Sequence, residues 1–171
     1  PTPVRPRPQP TPPNIIPANL QNAIIEAAIC KLIKKPTGEL TKADLERVRH
    51  LNLDDRALVR VKGLEKLTQL KALYLRGNRL SDVKGLETLT HLRTLHLGRN
   101  QLTDVPKGLE DLTQLERLCL GDNQLTDMKG LAKLTQLEDL FLGNNPDLTK
   151  AQIAQLQKAL LKCKIHSNPT K

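Results

Sequence analysis

A 22-residue period runs through the middle of this chain and limits what it can fold into. Leu67, Leu70, Leu73, Leu75, Asn78, Leu80, Val83 and Leu86 return in the same order as Leu112, Leu115, Leu118, Leu120, Asn123, Leu125, Met128 and Leu131. Units that repeat at this length stack on one another and bury the same branched side chains against their neighbours. Positions that escape the period are therefore where a specific function is to be sought.

The period also accounts for an odd composition. The chain holds one Tyr, one Phe and no Trp in 171 residues, too few for an ordinary mixed core but enough for one filled with Leu. The net charge of +9 brings nucleic acid to mind, yet its distribution argues against that partner. Residues 45–148 carry 16 basic and 15 acidic side chains, while residues 149–171 carry five basic and none acidic. The array is nearly neutral and the excess lies in the ends, so nucleic acid is disfavoured. No run of apolar residues reaches the length of a membrane span. The chain starts at Pro1 rather than Met, so either an N-terminal segment was removed or this is a fragment.

The ends have their own organisation. Residues 1–18 form a Pro-rich linker holding seven of the twelve prolines within its first 13 residues, and an extended polyproline-like spacer is expected. The PxxP matches in this tract (Pro3 to Pro6, Pro10 to Pro13) are nearly unavoidable in such a composition. Residues 19–44 read as an N-terminal helical cap. Asn19 is a plausible N-cap, and Leu20, Ala23, Ile24, Ala27, Ala28 and Cys30 to Ile33 form an apolar stripe. Pro36-Thr37-Gly38 breaks this helix, and Thr41-x-x-Asp44 opens a second, short one. The repeats fill residues 45–148, beginning at Leu45, Leu67, Leu89, Leu112 and Leu134, with extra residues near Pro106 and at Pro146-Asp147. Arg56 stands where later repeats have Asn78, Asn100, Asn123 and Asn145, which predicts a looser or solvated first turn. Residues 149–171 form a C-terminal helical cap and tail. Thr149-x-x-Gln152 opens a helix over 150–162, Ile153, Leu156, Leu160 and Leu161 face inward, and Ile165 adds an extended segment.

The motif LxxLxLxxNxL, present as Leu70-Lys71-Ala72-Leu73-Tyr74-Leu75-Arg76-Gly77-Asn78-Arg79-Leu80, resembles that of leucine-rich repeat proteins. The repeat length and the following Asp82 to Leu86 resemble the internalin and phosphatase-regulator subtype. The resemblance covers residues 45–148. It implies an α/β fold: a right-handed solenoid of about five repeats with a concave parallel sheet, capped here by helices at both ends. It also implies protein binding through the concave face, without naming a ligand.

Strand alternation identifies that face. The central outward column reads Asn52, Tyr74, His96, Cys119, Phe141, and it collects the only Tyr and the only Phe of the chain. One flanking column is His50, Ala72, Thr94, Arg117, Asp139. The other is Asp54, Arg76, Gly98, Gly121, Gly143, followed outward by Asp55, Arg99, Asp122 and Asn144. Exposed aromatics beside charge are typical interface anchors. The expected partner-binding residues are Tyr74, Arg76, Arg79, His96, Arg99, Arg117, Cys119, Asp139 and Phe141. The arginines predict a basic band between acidic shoulders, facing acidic or carboxylate groups of a protein partner. The alternative is that these charges pair across strands and merely solubilise the face. A row of Lys62, Lys84, Lys107 and Lys129, each followed by Gly, lies off this face with Asp82, Asp104 and Asp127 close enough to neutralise it.

His96 and Cys119 are neighbours in the central column, with Arg117 near enough to favour a thiolate. They lack a third residue to orient the imidazole, a pocket and an oxyanion hole. The chain is therefore expected not to be an enzyme and to need no cofactor and no metal. Cys30 and Cys163 are too far apart in the stack to bridge, and the three cysteines, Cys30, Cys119 and Cys163, have no framework spacing, so all are expected to be free thiols. A monomer is expected. The alternative function is a structural or surface-display spacer without a dedicated ligand. On location, the Pro-rich start and the internalin-like repeat point to an exported or surface-anchored bacterial protein, whereas free thiols point to a reducing compartment.

Overall fold

The computed structural model describes residues 18–35 and 39–169. The Pro-rich tract, the side chains of Asn19 and Leu20, and the Pro36-Thr37-Gly38 break lie outside the described residues. Six short strands form one parallel sheet in chain order: β1 (His50–Asn52), β2 (Ala72–Tyr74), β3 (Thr94–His96), β4 (Arg117–Cys119), β5 (Asp139–Phe141) and β6 (Lys164–His166). In each strand of the array, β1 to β5, the central residue points inward and its two neighbours point the other way. Leu51, Leu73, Leu95, Leu118 and Leu140 sit in register at the inward positions, and all are buried. Leu53, Leu75, Leu97, Leu120 and Leu142 form a second buried row. Short 3-10 turns close the convex side at Leu64–Lys66, Leu86–Thr88, Leu109–Asp111 and Leu131–Lys133, each burying its first Leu. Burying one such side chain stabilises by about 1.5–3 kcal/mol, so the repeated Leu columns supply the cohesion of the stack.

The Asn column joins successive repeats. Asn100 Nδ2 donates to the carbonyls of Leu97 (2.9 Å) and of Leu75 in the preceding repeat (3.0 Å), while its Oδ1 accepts from the amide of Leu80 (3.0 Å). Asn123 and Asn145 repeat the pattern. The amide held by each Oδ1 is buried and has no other hydrogen-bond partner among the described residues, while the Leu75, Leu97 and Leu120 carbonyls are each shared by two successive Asn side chains. Arg56 does not loosen the first turn, contrary to the expectation. Asn78 Oδ1 accepts from the amides of Arg56 (3.1 Å) and Leu58 (2.9 Å), so the turn is closed by the next repeat and Arg56 stays exposed. Each Asn serves the turn before its own, and the first repeat needs none.

Helices cover both ends. α1 (Ala18–Ile33) lies against β1 and buries Ile25 and Ile29, with Ile24, Ala28 and Ile33 half-buried. The buried face is thus rotated from the expected stripe: Ala23, Ala27 and Leu32 are exposed. α2 (Lys42–Glu46) opens on a capping box, with Thr41 Oγ1 accepting from the Asp44 amide and Asp44 Oδ2 from the Thr41 amide. Lys35 Nζ reaches the same carboxylate at 2.6 Å and, with the Thr41 bonds, holds Asp44 well below the usual carboxylate range. α3 (Lys150–Ala159) opens on the second capping box, Thr149 with Gln152. It ends three residues short of the expected 162, at the Leu160 cap. Leu160 is buried, but Leu161, expected to face inward, is 84% exposed because the chain has already left the helix.

Candidate functional site on the concave sheet

The sheet register brings Asn52, Tyr74, His96, Cys119 and Phe141 into one row across the concave face. β6 extends the row by one residue, His166, opposite Phe141. The Tyr74 and His96 rings meet edge to face at 4.8 Å between centroids, and the Phe141 and His166 rings stack at 4.4 Å and 7°. Phe141 is 36% exposed; Tyr74, His96 and Cys119 are half-buried. The aromatic surface is therefore in two patches, one at each side of Cys119.

The flanking columns behave differently from one another. Ala72, expected outward, is 5% exposed, its methyl too short to emerge between His50 and Thr94. Arg117 and Asp139 pair at 3.4 Å, and Asp139 also lies 3.5 Å from His166 Nε2. Desolvation opposes the Asp139 carboxylate, but the bonds from His166 and Arg117 outweigh it and lower its pKa. This part of the face is internally neutralised, so Asp139 is not an open acidic shoulder. Arg76 and Arg99 are exposed and make no ion pair among the described residues. Arg79 is half-buried at the edge of the sheet, its amide bonded to the Leu58 carbonyl.

Arg99 also carries backbone strain. Asp55, Gly77, Arg99, Asp122 and Asn144 occupy equivalent turn positions, all with φ between 54° and 68°. Gly, Asn and Asp visit this left-handed region readily, whereas a longer side chain there costs about 1–2 kcal/mol. Arg99 alone of the five is locally unsuited to its turn.

His96 and Cys119 are adjacent in register on neighbouring strands. Burial pushes the Cys119 thiol up to about 11, and the opposing field of Arg117 does not compensate. The expectation that Arg117 favours a thiolate is corrected by this burial. Burial also lowers the His96 pKa, with Asp54 acting against the shift and Arg117 and Arg76 adding to it. His96 Nε2 is buried and has no hydrogen-bond partner among the described residues. No group of three His, Cys, Asp or Glu able to hold a metal occurs among the described residues. All three cysteines are free thiols, Cys163 buried and the other two half-buried. No helix of the described residues is long and apolar enough to cross a membrane.

On the convex side, Lys62, Lys84, Lys107 and Lys129 form an exposed row. Lys129 pairs with Asp127 at 2.9 Å. Glu65, Glu87 and Glu110 turn inward to accept from the amides of Gly63, Gly85 and Gly108.

Stacked Leu columns, an Asn ladder and a parallel concave sheet define a repeat solenoid. The chain belongs to the leucine-rich repeat family: the family model "Leucine Rich repeats (2 copies)" matches residues 68–112 and 113–156. Among solved structures, an internalin (InlF) of Listeria monocytogenes is 28% identical and superposes with a TM-score of 0.76 over 90% of this chain and 43% of that one. A leucine-rich repeat protein of Leptospira interrogans is 30% identical, with a TM-score of 0.66 over 74% of this chain and 33% of that one. A further Listeria monocytogenes protein, InlJ, shares the fold at 19% identity and a TM-score of 0.63, over 88% of this chain and 39% of that one. The chain thus spans less than half the length of each. Comparison with curated proteins gave no match. Internalin-like leucine-rich repeat folds generally serve as protein-interaction modules.

His166 is the site residue that sequence reasoning missed. It lies 25 positions after Phe141, outside the repeat period, because α3 replaces the short convex turn. The alternation Lys164-Ile165-His166 was the available signal.

Proposed function

We propose that this chain is a non-enzymatic protein-binding module that engages its partner on the concave face. The observation that carries this reading is the placement of Tyr74 and Phe141 there, where each is held by a histidine of the neighbouring strand. Neither ring fills the Leu core, and solubility does not require either. Fixed, partly exposed rings suit an interface because little entropy is lost when they are covered. Arg76, Arg99 and Arg117 surround the rings, and a partner with acidic groups complements the two that lack carboxylates. The raised Cys119 pKa argues against nucleophilic catalysis. We further infer that the protein acts as a monomer and, from its likeness to an internalin, that it is an exported or surface-anchored bacterial protein.

The test is the paired substitution Tyr74→Ala with Phe141→Ala. Retained stability with loss of partner binding supports the reading, whereas binding at wild-type strength rules it out. A spacer without a ligand, the second reading, predicts no saturable partner at all.

A further inference from the structure

Asp54 shows what the concave face can hold. Its Oδ1 accepts from the backbone amide of Arg76, the equivalent residue of the next repeat, at 2.7 Å. The same amide recurs at Gly98, Gly121 and Gly143, where it makes no hydrogen bond among the described residues. At Gly121 the reason is plain: the residue standing where Asp54 stands is Gly98, which has no side chain. The surroundings of that open amide differ from the rest of the face. Arg99 follows Gly98 in the neighbouring repeat and Arg76 stands one repeat further along the same column, both exposed and without an ion pair among the described residues. Arg99 is held there at a left-handed φ of 55°. His96 lies in the adjacent column with its Nε2 unsatisfied. Of the nearby carboxylates, Asp122 is engaged by Asn144 Nδ2 at 2.8 Å and Asp54 by the Arg76 amide.

Resting on the concave-face reading, we propose that the patch formed by Arg76, Arg99 and the Gly121 amide seats an aspartate or glutamate side chain from an acidic segment of the partner. The carboxylate takes the place over Gly121 that Asp54 takes over Arg76. Two unpaired guanidinium groups supply the charge, and the backbone N–H fixes the position. Charge complementarity selects the occupant: a basic or apolar segment leaves both arginines uncompensated, and a carboxylate accepts from arginine and from an amide at once. Neither Gly98 nor Gly121 carries a side chain that would cover the amide.

The proposal is tested by titrating the whole ¹⁵N-labelled chain with a capped tetraglutamate peptide, with tetralysine peptide and inorganic phosphate as controls. The expected result is a saturable downfield shift of the Gly121 amide with tetraglutamate only. Replacing Arg99 with Gly relieves the strained turn and keeps the fold, and it should weaken peptide binding roughly tenfold or more. A Gly121 amide that does not move, or an Arg99→Gly chain that binds as tightly as wild type, overturns the seat. An equal response to phosphate overturns the choice of an acidic peptide. None of these results bears on Tyr74 and Phe141, so the seat can fail while the concave-face reading stands.

Discussion

Phe141 and His166 stack face to face, 4.4 Å between ring centroids and 7° from parallel, across the last pair of strands. The contact joins the repeat array to its C-terminal cap on the concave surface rather than in the core. Because Phe141 is partly exposed, Phe141→Ala should cost no more than about 1.5 kcal/mol, the scale of an aromatic pair. Leu140→Ala, one residue away and fully buried, should cost about 2–5 kcal/mol. Urea-unfolding midpoints of the two variants check the contrast, and equal losses would mean that Phe141 is a core residue.

The Asn ladder predicts an asymmetry between repeats. Asn100→Ala removes the acceptor of the Leu80 amide and the donor to the Leu75 and Leu97 carbonyls, all buried. The Leu75 and Leu97 carbonyls keep the Asn78 and Asn123 side chains as donors, so the Leu80 amide is the one group orphaned and the expected loss is about 1–3 kcal/mol. Arg56→Asn restores the motif residue but gains nothing, because Asn78 already closes that turn. Its effect should stay within about 0.5 kcal/mol, the range of ordinary surface changes. Thermal unfolding of both variants provides the comparison.

The raised thiol sets an alkaline limit. The Cys119 thiol, near 9 when unfolded and about 11 when folded, keeps its proton longer in the native chain. Between those values the unfolded state binds fewer protons, so stability falls as pH rises from 9 to 11. Subtracting the pH profile of Cys119→Ser from that of the wild type isolates this contribution. Parallel profiles would show that Cys119 is not desolvated. His96, lowered by the same burial, has the opposite sense: stability falls as pH drops below 6.5, where the unfolded imidazole protonates first. His96→Gln should flatten that limb.

Most of the frame is legible in the sequence, for a physical reason. Leu73, Leu95 and Leu118 each meet the same environment, so one period describes them all, and the two capping boxes are local enough to be read from four residues. What escapes is set by non-local packing. The buried face of α1 centres on Ile25 and Ile29 because of how the helix meets the first repeat, and periodicity alone did not select them. Arg56 does not loosen its turn because the ladder acts on the turn before each Asn. Leu161 faces solvent because α3 stops at Ala159. On the candidate site, the column from Asn52 to Phe141 follows from register alone. Whether Arg117 is available or already paired with Asp139 depends on side-chain geometry, and the sequence does not carry it.

The central claim is that the concave face is the binding surface. It is tested most directly by measuring the affinity of the whole chain for its partner, once identified, in three forms: wild type, Tyr74→Ala with Phe141→Ala, and a convex control, Lys62→Ala with Lys84→Ala. The account predicts that the concave pair loses at least roughly a hundredfold in affinity, as expected when two interface anchors are truncated. The convex pair should bind as the wild type does. Undiminished binding by the concave pair, or loss confined to the convex pair, would contradict it.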